Sequence, residues 1–242
     1  MTAMAFLGAI NPAFIASGFA VGLLVGLTGV GGGSLMTPLL VLLFGLDARV
    51  AVGTDLLYAS LTKAAGSAVH GSAGTVDWRV TGRLATGSLP ASILTVSVIY
   101  LVGPTSKHLS AIITAVLGVA LIVTAICVFA RPLLLRLLRA AVPATAFEHR
   151  AAATVLVGAL LGVLVSISSV GAGAIGMTAL VLLYPEVPMA RLVGSDIAHA
   201  VPLTLIAGIG YWLLGSVDGA LLVSLLLGSV PGIALGSLLA SR

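Results

Sequence analysis

Three ionisable residues, Asp55, Lys63 and His70, fall inside one apolar run of this sequence, and Asp196 and His199 fall inside another. A charge at membrane depth costs about 2.5 to 3.5 kcal/mol on insertion scales, so each of these residues needs a reason to be there. Carboxylate, imidazole and ammonium groups together suit one kind of chemistry, the holding of a small anion and the passing of protons. Asp196 and His199 are three residues apart and share a helix face. Lys63 and His70, seven apart, also share one. Asp55 lies about 80° around a helix from Lys63, which disfavours direct pairing. Structural roles compete with these. Asp55 and Asp196 follow Gly-Thr and Gly-Ser near the starts of their helices, where a carboxylate caps N–H groups. His199 could be satisfied by Asp196, and His70 could reach the membrane interface. Lys63 sits too deep to cap an N-terminus.

Two glycine runs, Gly29-Val30-Gly31-Gly32-Gly33 and Gly171-Ala172-Gly173, each precede a short apolar stretch. A half-helix that starts after such a sharp turn directs unpaired N–H groups and a positive dipole end outward, which favours an anion. Candidate anion contacts are therefore Gly31, Gly32, Gly33 and Ser34 in one run. In the other they are Ser169, Gly171 and Gly173, with Ser168 alongside. The structural alternative is close helix packing by small residues.

The elements that must position these groups follow from composition. The 242 residues are 60% hydrophobic and 7% charged, too few charges to cover a soluble domain. Apolar runs long enough to cross roughly 30 Å of hydrocarbon follow one another, without strand-type alternation, so the spans are helices. Nine segments are predicted: 12–30, 34–46, 50–70, 84–102, 109–130, 151–170, 174–184, 192–214 and 220–240. The second and seventh are too short to span comfortably at 1.5 Å per residue. Each reads as a half-length helix that returns after a glycine break. The single cysteine, Cys127, excludes an intrachain disulfide and thiolate metal binding. No basic region precedes the first apolar stretch, so a cleavable signal peptide is not expected.

Shifting the sequence by 141 residues, without gaps, superposes two halves. Gly32 falls on Gly173, Met36-Thr37 on Met177-Thr178, and Val52-Gly53-Thr54-Asp55 on Val193-Gly194-Ser195-Asp196. Gly74, Val76 and Asp77 fall on Gly215, Val217 and Asp218, and Gly87-Ser88-Leu89-Pro90 on Gly228-Ser229-Val230-Pro231. Two aspartate matches among seven acidic residues are not accidental in an apolar chain. The shift sets Tyr58 opposite His199, so Asp55 with Tyr58 matches Asp196 with His199. Asp77 and Asp218 read as N-caps of the helices that follow them, and Pro90 and Pro231 lie inside spans.

The chain then divides into a first transmembrane repeat (1–103), a linker helix with a cytoplasmic linker (104–150) and a second repeat (151–242). Five segments separate equivalent elements, an odd number, so the halves should be inverted. The fold expected is an all-α polytopic membrane protein of two inverted repeats with broken, re-entrant half-helices. Paired broken helices in inverted repeats mark secondary transporters. Basic residues test the count. One side receives Arg79, Arg83, Arg131, Arg136, Arg139, Arg150, Arg191 and Arg242, and the other only Arg49 and Lys107. Counting each broken pair as one crossing would split them six to four. Cytoplasmic loops carry the excess of Lys and Arg, which puts the N-terminus outside and the C-terminus in the cytoplasm.

At these residues the sequence resembles the TauE/SafE sulfite exporter family. The resemblance lies in Gly26-Leu27-Thr28-Gly29-Val30-Gly31-Gly32-Gly33, Gly53-Thr54-Asp55-Leu56-Leu57 and Gly74-Thr75-Val76-Asp77-Trp78-Arg79. In the second half it lies in Gly194-Ser195-Asp196-Ile197-Ala198-His199 and Gly228-Ser229-Val230-Pro231-Gly232. It covers nearly the whole chain and implies movement of sulfite, sulfonates or related sulfur oxyanions across a bacterial inner membrane. The commoner family motif has Ser where this chain has Asp55, and a carboxylate there strengthens the case for proton coupling.

The function expected is secondary transport of a small anion. The glycine run lacks the Lys of a nucleotide-binding loop, so the chain should not be a primary pump by itself. An anion channel is the alternative. An intramembrane hydrolase built on Ser168 or Ser169 with His199 is less persuasive, because the glycines recur in both halves while serine and histidine do not. The expected partners are a lipid bilayer, a small inorganic or organic sulfur anion, and protons. No cofactor, metal or nucleic acid is expected, and a homo-oligomer is compatible with the sequence.

Overall fold

The computed structural model describes residues 11–28, 35–72, 74–103, 107–130, 133, 136 and 150–240. Within them the chain forms helices α1 (Pro12–Thr28), α2 (Met36–Leu42), α3 (Ala48–Ser72), α4 (Trp78–Val102), α5 (Lys107–Phe129), α6 (Arg150–Ser168), α7 (Ala174–Leu183), α8 (Met189–Leu213) and α9 (Gly219–Ala240). Each corresponds to one predicted apolar segment. Two helices begin three or more residues earlier than hydropathy suggests, α4 at Trp78 and not Leu84, and α8 at Met189 and not Leu192. For α4 the cause is Asp77, whose side chain accepts from the N–H groups of Arg79 (3.0 Å) and Val80 (3.2 Å) and so extends the helix into its basic first turns. Asp218 caps α9 in the same way, accepting from Ala220 (2.9 Å) and Leu221 (3.0 Å).

Among the described residues, five helices (Trp78–Val102, His108–Phe129, Arg150–Ser168, Met189–Leu213 and Gly219–Gly236) are long and apolar enough to cross a membrane. Their outer faces leave Leu101, Phe129 and Leu213 uncovered, as a lipid solvent allows. The helix α3 has the length, 25 residues, but carries Arg49, Asp55 and Lys63. The two short segments are short in the structure too, 7 residues for α2 and 10 for α7.

The packing comes in matched pairs. The first helix, α1, lies along the last, α9, while α4 lies along α6, and α3 lies along α8 at the centre. Glycines bring the paired backbones together. A Cβ added at Gly18 would strike the carbonyl of Leu225, and one at Gly158 the carbonyl of Leu84. Gly22 meets Ser229 as Gly162 meets Ser88, and Gly228 meets Ile15 and Phe19 as Gly87 meets Val155 and Ala159. Between α4 and α9 these positions differ by 141, as the ungapped shift requires. Between α1 and α6 they differ by 140, so the two halves are not related by one gapless shift. The glycine motifs before α2 and α7 still match at 141, so the extra residue lies in the second half, between α6 and the glycine break before α7.

The loops before α4 and α9 repeat each other as well. Gly74 and Gly215 both take positive φ, 64° and 67°. The Asp77 N–H donates to Ser195 Oγ (2.8 Å) on α8, and the Asp218 N–H donates to Thr54 Oγ1 (3.1 Å) on α3. These contacts sort the helix ends. The starts of α3 and α9 meet at one end, where Ser110 of α5 also reaches Asp47 (3.1 Å), just before α3. The starts of α4 and α8 meet at the other. The residue past each short helix meets the start of the helix before it: Phe44, past α2, stacks edge-on with Phe14 of α1 at 4.8 Å, and Tyr184, past α7, hydrogen bonds Thr154 of α6 at 2.7 Å.

Candidate functional site

The polar centre of the molecule lies where α3 and α8 cross, flanked by the half-helices. The crossing is possible because small residues line it. Gly208 of α8 touches Leu57, and Gly53 of α3 fits against Tyr211 and the Ser216 carbonyl. Around it Val52, Leu56, Ala200, Leu203 and Ala207 share one apolar cluster with Ile113 of α5. Into this apolar setting project Asp55 (0% exposed), Tyr58 (2%), Lys63 (7%), Asp196 (5%) and His199 (0%).

Asp55 is held by the first turn of α2. Its Oδ2 accepts from the Thr37 hydroxyl (2.5 Å) and the Thr37 N–H (3.2 Å). Of the structural roles foreseen for this aspartate, capping a helix or hydrogen bonding backbone near a broken segment, the second is the one present, at the start of α2. Asp55 Oδ1 is buried without a hydrogen bond, and Ser169 Oγ, also buried and unbonded, faces this carboxylate. Ser169 ends α6 with φ 58°, a left-handed conformation that a non-glycine residue adopts only under constraint. Gly171 follows with φ 120°, and Gly173 stands at the N-cap of α7. The chain break foreseen in the second half is thus present, and it delivers Ser169 to the first half's aspartate.

Asp196 occupies the equivalent position on α8 but has no equivalent anchor. Thr178, the counterpart of Thr37, donates instead to the Ala174 carbonyl of its own helix (2.7 Å). Asp196 Oδ1 lies against α7 at Gly176, where a Cβ would come within 2.7 Å of it, and has no hydrogen bond. His199 does not bond Asp196, although both sit on one face. Its Nε2 is 2.7 Å from Ser88 Oγ of α4, and its Nδ1 is buried without a partner. Tyr58, the counterpart of His199, faces Ser229 of α9, the counterpart of Ser88, without closing a bond.

Lys63 completes the group. It stands within electrostatic reach of Asp55, Asp196 and His199, yet no carboxylate among the described residues comes within ion-pair distance of it. This agrees with the 80° separation read from the sequence. His70 falls outside the group; its Nδ1 is 2.9 Å from Thr75 Oγ1, near the end of α3. Gly31, Gly32, Gly33 and Ser34 lie outside the described residues, as does most of the linker from Arg131 onward. Two partners escaped the sequence reading, Thr37 and Ser88. Both stood in matched motifs, Met36-Thr37 and Gly87-Ser88-Leu89-Pro90, and that repetition was their available signal. Ser168 donates to the Leu164 carbonyl (2.8 Å) and does not join His199, whose serine partner is Ser88, so the pairing of Ser168 with His199 is not formed.

The arrangement is two carboxylates, an imidazole and a lysine, buried together beside a broken helix. Groups of these types are the kind that hold a small ion and exchange protons with it.

The sulfite exporter TauE/SafE family profile matches residues 14–242. The chain is 40% identical over 232 residues to the Bacillus subtilis protein named "Probable membrane transporter protein YjnA", covering 94% of this chain and 89% of that one. It is 27% identical over 223 residues, 90% of this chain and 86% of the other, to "Probable membrane transporter protein YdhB" of the same organism. A 64-residue stretch, 26% of this chain and 23% of the other, is 47% identical to "Probable membrane transporter protein YunE", also from Bacillus subtilis. No solved structure matches the chain. A match along nearly the full length, to a family of transporters and not of enzymes, gives the buried centre its context: the chain belongs to the sulfite exporter TauE/SafE family and is an integral membrane transporter.

Proposed function

We propose that the chain is a secondary carrier of a small sulfur oxyanion or sulfonate, sulfite being the reference substrate, and that protons drive it. The observation that carries this reading is the single buried Lys63 set among Asp55, Asp196 and His199. One lysine balances one carboxylate, and Asp55 is already committed to Thr37. An anion settling beside Lys63 would meet a second negative charge on Asp196 and be repelled. A proton on Asp196 removes that repulsion, so proton and anion bind together and move in the same direction. The N–H groups at the start of α7 supply the positive dipole end that an oxyanion favours.

The halves in this reading are inverted in the bilayer, each with a re-entrant half-helix. In support, α3 and α8 are equivalent but begin at opposite ends of the molecule, as do α4 and α9. The end bearing Arg79, Arg83, Arg150 and Arg191 is then cytoplasmic, and the end with Arg49 is external. The experiment is anion flux into proteoliposomes with sulfite, thiosulfate and taurine, with and without an imposed pH gradient. Flux that saturates, exchanges against a counter-gradient and responds to the pH gradient is expected. Linear flux without counter-exchange would select a channel. Cysteines placed at Lys107 and Arg139 should label from opposite sides; labelling of both from one side defeats the inverted arrangement.

A further inference from the structure

A second cluster lies at the basic end, about 15 Å from the glycine break, the length of the ten-residue α7. Arg83 of α4 donates from Nη1 to the Tyr184 hydroxyl (3.3 Å), and Tyr184 Oη is 2.7 Å from Thr154 Oγ1. Thr154 spends its own proton on the Arg150 carbonyl (2.6 Å), so Tyr184 is the donor to Thr154 and the acceptor from Arg83. The hydrogen-bond direction is thereby fixed along the chain Arg83, Tyr184, Thr154. From the other side the Arg150 guanidinium lies over the Tyr184 ring at 6.0 Å and pairs with Glu186.

The matching place in the first half holds Phe14 against Phe44. Two apolar rings suffice to pin a half-helix to its neighbour. The second half instead brings two guanidiniums to one buried tyrosine, more than pinning requires. Among the described residues Arg83 uses one of its five donors, on a neutral hydroxyl. Glu186, whose side chain is 53% exposed, is a weakly held anion on Arg150.

We propose that Arg83 and Arg150 form an oxyanion-admission site at the basic end, where an incoming anion replaces Glu186 on Arg150 and takes the unused donors of Arg83. Tyr184 is a positioning residue that holds Arg83 toward the site. From there the anion has one half-helix to travel, along α7, to reach the α3–α8 crossing. This rests on the anion-carrier reading above.

The test is the sulfite dependence of flux in proteoliposomes of the full chain, paired with thermal stabilisation of the detergent-solubilised protein by sulfite. Arg83→Gln should raise KM about tenfold with kcat little changed, and Arg83→Lys should recover part of it. Tyr184→Phe should raise KM by less. Glu186→Gln should lower KM about threefold, because it removes a competing anion. A merely structural latch gives the opposite sign for Glu186→Gln, a less stable protein with no gain in affinity. If the wild type carries sulfite and neither Arg83→Gln nor Glu186→Gln moves KM, the admission site is overturned while the carrier reading stands. If the wild type neither transports nor is stabilised by sulfite, thiosulfate or taurine, both fall. Should Arg83→Gln fail to insert, the opposed signs of Tyr184→Phe and Glu186→Gln decide.

Discussion

The α3 and α8 helices carry aspartates at equivalent positions, both buried, both facing a half-helix, and yet the two are held differently. Asp55 accepts two bonds from Thr37 and fastens α2 in place. Asp196 faces Gly176 with one oxygen unbonded, while Thr178 turns to its own helix. The backbone contacts of the two halves agree nearly residue for residue, Gly53 with Ser216 and Gly194 with Thr75. What differs is side-chain hydrogen bonding. The glycine packing is alike in the two halves, where a glycine pressed against a carbonyl tolerates no replacement. The polar contacts are not alike. One aspartate fastens a neighbouring helix, and the other, in the carrier reading proposed above, is the one left for the proton.

That contrast breaks most visibly in transport. Asp196→Asn should reduce the response of flux to an imposed pH gradient more than tenfold, the scale of losing a group that acts only in coupling. Asp55→Asn should instead lower the yield of folded protein and leave the gradient response of what remains. His199→Gln should shift the pH dependence without abolishing anion binding. Flux measured in parallel for the three variants is the check. An equal gradient response in Asp55→Asn and Asp196→Asn would erase the division of labour.

A smaller effect sharpens the same contrast in stability. Thr37→Val removes the hydroxyl bond to a buried carboxylate, leaving the backbone N–H bond, and should cost about 1.5 to 3 kcal/mol. Thr178→Val removes only a hydroxyl bonded within its own helix and should cost no more than about 1 kcal/mol. Thermal unfolding of the two variants in one detergent makes the comparison, and equal losses would show that Asp55 is not a strut.

The smallest effect is expected at the end of the molecule near Arg49. Asp47 loses some solvation, but hydrogen bonds from Arg49 and Ser110 outweigh this and hold its carboxyl below the usual carboxylate range. A depressed value means the contribution is present at neutral pH and lost as pH falls through the acid range. Asp47→Asn should therefore flatten the acid limb of the stability profile slightly and leave transport alone. A steeper acid limb in this variant would contradict the assignment.

Much of this was legible in the sequence. Hydropathy places nine segments because, in lipid, every span must satisfy its own backbone and so announces itself by length. Asp77 and Asp218 are readable as caps because capping is local, two or three residues from acid to N–H. The pairing of Asp55 with Thr37 spans 18 positions, and that of His199 with Ser88 spans 111. Such contacts are set by how helices cross, which no local pattern encodes. The register of α1 on α6 was misjudged for a related reason. In helices made of Ala, Leu, Val and Gly, a shift of one residue changes few matches. The spacing Gly18 to Gly22 and Gly158 to Gly162, four residues in each, was the mark of the true alignment.

The pairing of α1 with α9 has a consequence for how the protein is made. Helix α1 finds its main partner only in α9, some 200 residues later. At translation rates of about 5 to 20 residues per second, α1 waits in the bilayer for roughly 10 to 40 s with Gly18 and Gly22 facing lipid. During that interval it has its contacts with α2 and the start of α3, such as Phe14 on Phe44, and quality-control proteases meet an open groove where Gly228 and Gly232 will later dock. A ribosome that stalls within α9 leaves behind a chain with every charged residue of the buried centre in place but without its closing helix. Assembly of this transporter is therefore a race that ends at α9.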